Sequence, residues 1–125
     1  MKTEYENIKR IVASVGGYFG TSYTVEVEFD RGKITWEARG DDFEPGLILQ
    51  LDIESMNTFR EALSKSRILS WKNEYIDPNT LDGTQWSLDI EFDDICIEKS
   101  GSNDYPKEWK RFCKVIHKLT GKPFE

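Results

Sequence analysis

Carboxylates two residues apart are the residues here whose type and spacing could do chemistry. Glu26 and Glu28 form one such pair, and Asp89 and Glu91 form another. In extended chain, side chains two apart point to the same side, so each pair shares one face of a strand. Paired carboxylates can hold a divalent cation, exchange protons, or present negative charge to a basic partner. The first two uses need a concave site and a nearby base or cation. Carboxylates on an open strand keep ordinary acidity and suit the third use better.

Other chemistries find little support. The only histidine, His117, has no second histidine or paired cysteine with which to build a zinc site. Cys96 and Cys113 form neither a Cys-x-x-Cys pair nor a disulfide framework. No Gly-x-Ser-x-Gly elbow occurs. The run Gly16-Gly17-Tyr18-Phe19-Gly20 is followed by a strand pattern and no Lys-Ser/Thr, so it reads as a hairpin turn and not a phosphate loop. No metal, cofactor or catalytic residue is assigned, and the sequence points away from an enzyme.

The acidic residues must be positioned by strands. Tyr23, Val25, Val27 and Phe29 alternate with Thr24, Glu26, Glu28 and Asp30. After a tight turn at Asp30-Arg31-Gly32-Lys33, Ile34, Trp36 and Ala38 alternate with Thr35, Glu37 and Arg39. Leu47, Leu49, Leu51 and Ile53 continue the pattern, and Trp86, Leu88, Ile90 and Phe92 repeat it against Ser87, Asp89 and Glu91. An Asp93-Asp94 turn then returns Ile95 and Ile97 to the core. Residues 8–15 fit a helical period, but their β-branched content and the following glycines favour a strand. Outward positions thus collect Glu26, Glu28, Glu37, Asp52, Asp89, Glu91 and Glu98.

Two helices complete the pattern. One spans Glu54 to about Ser66, with Asp52 or Ser55 as cap and Met56, Phe59, Ala62 and Leu63 on one face. The second carries Tyr105, Trp109, Phe112, Cys113, Ile116 and Leu119 on one face. Pro106 suits its first turn, Asn103, Asp104 or Tyr105 its cap, and Gly121 and Pro123 its stop. The order is β-β-β-β-α-β-β-α. It predicts one α+β domain over residues 1–125, a twisted antiparallel sheet of about six strands with both helices on one face.

The segment Asp82-Gly83-x-x-Trp86, the hairpin after it, and Gly101-x-Asn103-x-Tyr105-Pro106 form a distinctive series. The series resembles small uncharacterised bacterial proteins that share a Trp hairpin, a Gly-x-Asn-x-Tyr-Pro loop and a C-terminal helix. The resemblance covers about the last third of the chain and implies no established activity.

Net charge is −6, unevenly spread: residues 105–125 carry +4 and the rest −10. Lys107, Lys110, Arg111, Lys114, Lys118 and Lys122 line the outer side of the last helix. They could meet nucleic-acid phosphates, but the acidic body would repel a polyanion, so nucleic acid is not the expected partner. No apolar run could span a membrane, the N-terminus lacks a signal peptide's apolar core, and the expected location is the cytoplasm. Oligomeric state is not readable.

Two functions compete beyond a plain solvated face. In the first, an acidic interaction module docks a basic protein through Glu26, Glu28, Glu37, Asp89 and Glu91, as a toxin-neutralising immunity protein would. In the second, a small-ligand or enzymatic pocket forms from Trp86, Asn103, Tyr105 and Trp109.

Overall fold

The structure, a computed structural model, describes residues 2–17, 20–40, 45–77 and 83–125. The turn expected across Tyr18 and Phe19, and the loops across residues 41–44 and 78–82, lie outside the described residues. So does Asp82.

The chain is an α+β fold. Its elements are α1 (Lys2–Glu6), β1 (Arg10–Gly17), β2 (Ser22–Glu28), β3 (Lys33–Arg39), β4 (Leu47–Gln50), α2 (Ile53–Lys65), a 3-10 turn (Ile68–Ser70), β5 (Glu74–Ile76), β6 (Thr84–Glu91), β7 (Cys96–Ser102) and α3 (Trp109–Thr120). Among the described residues one seven-stranded sheet runs in the order β4-β3-β2-β1-β6-β7-β5. All pairs are antiparallel except β5 with β7, so the sheet is mixed and larger than the six antiparallel strands expected. Three residues of β5 and five of α1 are too few to show a period, which explains why both escape pattern reading.

Residues 10–17 form the central strand, flanked by β2 and β6. Ile11, Ala13 and Val15 are buried on the inner side with Val25, Val27, Ile34, Trp36, Trp86, Leu88 and Ile90. Met56, Phe59 and Leu63 of α2, and Trp109, Phe112, Cys113 and Ile116 of α3, join this same core. Burial of that many large side chains, each contributing about 1.5–3 kcal/mol, is what holds two otherwise marginal helices. Lys99 also points inward and is buried. Its ammonium donates to the carbonyls of Leu69 and Trp71, and burial lowers its pKa.

Several local expectations need correction. Ile53 does not extend β4; it starts α2 and is exposed, because Asp52 accepts the Ser55 N–H at 2.7 Å and caps the helix there. Ile95 ends the Asp93-Asp94 turn, 57 % exposed, instead of returning to the core. Helix α3 begins at Trp109, later than Pro106 suggested. A turn closed by Trp109 N–H to Pro106 C=O precedes it, and Glu108 at the cap position makes no side-chain capping bond. The stop is as expected: Gly121 has φ 71° and its N–H donates to the His117 carbonyl. The chain then continues into the core, where Phe124 is buried and the Pro123 carbonyl accepts Trp36 Nε1–H at 2.8 Å.

Candidate functional site

Helices α2 and α3 lie on the inner side of the sheet, and among the described residues no helix covers the other side. Strand period two sends Glu26, Glu28, Glu37, Asp89 and Glu91 there together, on β2, β3 and β6. Asp52, also expected outside, is instead occupied at the α2 N-terminus, and the bond from Ser55 lowers its pKa.

Cross-strand register arranges the uncovered face in rows perpendicular to the strands. One row reads Lys33, Glu28, Arg10, Glu91, Cys96, and the next reads Thr35, Glu26, Val12, Asp89, Glu98. A third row carries hydroxyls between two carboxylates: Glu37, Thr24, Ser14, Ser87, Ser100, Glu74. Ser14 Oγ and Thr24 Oγ1 are 3.2 Å apart. Beyond it, Gly16, Ser22 and Gln85 help line an open groove of about 500 Å³.

Charge is not evenly compensated across these rows. Arg10 at the centre donates through Nε to Glu26 and through a terminal nitrogen to Glu91, spanning three strands. Those bonds raise its pKa, the Glu26 hydrogen bond contributing most. Lys9 lies 3.9 Å from both Asp30 and Asp93 at the strand ends. Among the described residues Glu37 has only a long ion-pair contact to Arg39, 4.0 Å. Among the described residues no cation pairs with Glu28, Asp89 or Glu98. Asp89 stands directly opposite Glu98, and its pKa is raised, first by partial burial and then by Glu98 and Glu91, with Arg10 opposing them in smaller part. The exposed Cys96 thiol is also pushed up, by burial first and then by Asp89, Glu91 and Glu98. No group of acidic, histidine or cysteine side chains among the described residues is arranged to hold a metal ion.

The four residues of the expected ligand pocket come together, and Trp86 also borders the open groove of about 500 Å³. Trp86 and Trp109 are buried with ring centroids 5.0 Å apart, and Tyr105 lies 5.4 Å from Trp109. Asn103 adopts φ 57°; its Oδ1 accepts the Thr84 N–H at 2.9 Å while its own N–H donates to the Thr84 carbonyl. Trp86 Nε1–H donates to the Asp104 carbonyl at 2.8 Å. Gly83 and Gly101 are required beside them. A Cβ on Gly83 would sit 1.7 Å from Asn103 Oδ1, and one on Gly101 2.2 Å from Trp86 Nε1. Gly83, Thr84 and Trp86 therefore interlock with Gly101, Asn103 and Asp104 as a latch between β6 and the loop that leads to α3.

Three residues of the site were not singled out as candidates by sequence. Arg10 lay in a stretch with an ambiguous period, and Ser87 and Ser100 looked like ordinary strand polar positions. The signal that could have found them is register, which pairs Arg10 with both Glu28 and Glu91. Comparison with known protein families and characterised proteins returns no match for this chain. No helix among the described residues is long and apolar enough to cross a membrane.

Proposed function

We propose that the protein is an interaction module that docks a basic protein on its uncovered acidic sheet face. The observation that carries this reading is the directly opposed Asp89–Glu98 pair, which among the described residues makes no ion pair. Like charges facing each other across a sheet oppose folding by about 0.2–1 kcal/mol. A face that served only solubility would interleave both signs, as the Arg10 row does. A partner's Lys or Arg would relieve the repulsion on binding.

Area favours the sheet over the basic helix. The 44 residues of the seven strands, each about 3.3 Å along the strand by about 4.8 Å across it, make a face of roughly 700 Å² before twist. That approaches the roughly 800 Å² each partner contributes to a standard interface. The outer side of α3, twelve residues at about 1.5 Å each, is about 18 Å long and one helix wide. It is too small to act alone.

A cationic toxin neutralised by this face is the most concrete partner of that kind. The test is affinity capture with the wild-type protein and with a Glu28→Gln/Asp89→Asn/Glu98→Gln variant, which leaves the Arg10 ion pairs intact. Expected is a basic partner retained by wild type near 0.1 M salt, lost by the variant, and released near 1 M, where the Debye length falls from about 10 Å to about 3 Å. Equal retention by both proteins would refute the reading.

A further inference from the structure

A second surface lies at the β6–β7 turn, beside α1 and the 3-10 turn. Leu69, Phe92, Ile95 and Ile97 line a cleft of about 580 Å³ there. Phe92, Ile97 and Leu69 are partly buried against the core, while Ile95 stands 57 % exposed. Asp93 and Asp94 on the turn and Glu4 on α1 form the rim. Lys9 reaches Asp93 only at 3.9 Å, and among the described residues no ion pair involves Glu4 or Asp94.

An apolar floor with a one-signed charged rim has a definite complement. Side-chain and ligand pockets commonly span about 300–1,000 Å³, so this cleft admits one bulky side chain with its flanking backbone. Interface hot spots take this form: a large apolar anchor in a pocket, encircled by polar contacts that exclude water. Folding gives no reason for Ile95 to be apolar, since it closes the turn through its backbone carbonyl, which accepts the Phe92 N–H at 2.8 Å. We infer that this cleft is an anchoring pocket for a single aromatic or large aliphatic side chain of a partner protein, flanked in that partner by Lys or Arg. The inference uses none of the sheet-face carboxylates, so it stands or falls apart from that reading.

The test is a methyl NMR titration of the whole chain with three pentapeptides. One has a central Trp between lysines, the second replaces the Trp by Gly, and the third replaces the lysines by Glu. The Lys/Trp peptide is expected to shift the Ile95, Ile97 and Leu69 methyls saturably. The other two should bind at least about tenfold more weakly, a difference of about 1.4 kcal/mol. Ile95→Ser, at an exposed position that folding does not need, should weaken the Lys/Trp peptide by a similar factor. Asp93→Asn/Asp94→Asn should weaken it and remove most of its salt dependence. Three outcomes would overturn the inference: no saturable shift at millimolar peptide, shifts that map away from the cleft, or equal binding of all three peptides.

Discussion

Thr84 and Asn103 bond to each other twice. The Asn103 side-chain oxygen accepts the Thr84 N–H, and the Asn103 N–H donates to the Thr84 carbonyl, both at 2.9 Å. This reciprocal pair fastens the start of β6 to the end of β7, next to the Trp86–Asp104 bond. Asn103 Oδ1 and the Trp86 indole N–H, beside the aromatic cluster, are thus occupied in holding the fold.

The latch predicts a specific order of damage. Asn103→Ala leaves the Thr84 N–H without its partner and strains a left-handed residue, for a loss of about 1–3 kcal/mol. Asn103→Gly keeps the backbone conformation and should lose less. Gly101→Ala drives a Cβ into the Trp86 ring and should lose at least about 2 kcal/mol. Urea melts of the three variants check the order; Asn103→Gly as damaging as Asn103→Ala would mean that backbone strain contributes nothing.

Asp89 should be a site where removing charge stabilises. Its pKa is raised in the folded protein, so between the unfolded value, about 3.9, and the folded one the native state holds more protons. Stability from this group is therefore fully present below about pH 3.9 and falls as pH rises through the folded value. At neutral pH, Asp89→Asn is expected to raise stability by about 0.2–1 kcal/mol, and to change little below pH 3.9. Thermal melts at both pH values decide it. A lowered melting temperature at neutral pH would show that the carboxylate is compensated in the fold.

Cys96 reports the field of the same face. Its thiol is exposed yet pushed up, by burial first and then by Asp89, Glu91 and Glu98. The thiolate is the reactive form, so alkylation should be slow for an exposed cysteine and should quicken several-fold with salt or with Asp89→Asn. Cys113 is buried and its thiol is pushed far up by desolvation, so it should react only on unfolding. Timed iodoacetamide labelling at mild alkaline pH, read by mass spectrometry, separates the two. A Cys96 rate indifferent to both salt and Asp89 would mean that the face carries no appreciable negative potential there.

Strand faces were readable because each long strand alternates cleanly. Val25, Val27, Trp36, Leu88 and Ile90 are buried, and Phe92, Leu49 and Leu51 pack partly against the core. The acidic face was legible for the same reason. What alternation could not show is which carboxylates are satisfied, because Arg10 meets Glu91 only through the register of residues 81 apart in sequence. Phe124 was equally hidden: Gly121 and Pro123 announce the end of a helix but not the return of the chain to Trp36. The polar loop at Asn103 reads as a latch or as a ligand site because the same residue types make both; its two bonds to Thr84 depend on a register that composition does not show.

The most direct measurement is to titrate the basic partner recovered by capture, or its cationic segment, into isotope-labelled protein and map the amide shifts. The account predicts shifts along β2, β1, β6 and β7 on the uncovered side, centred on Asp89 and Glu98. Affinity should fall steeply with salt and should be weakened by the Glu28→Gln/Asp89→Asn/Glu98→Gln variant at least about tenfold, or about 1.4 kcal/mol. A Lys110→Ala/Lys114→Ala/Lys118→Ala variant should bind as wild type does. Shifts confined to α3, with binding lost in the lysine variant and kept in the neutralised one, would contradict it.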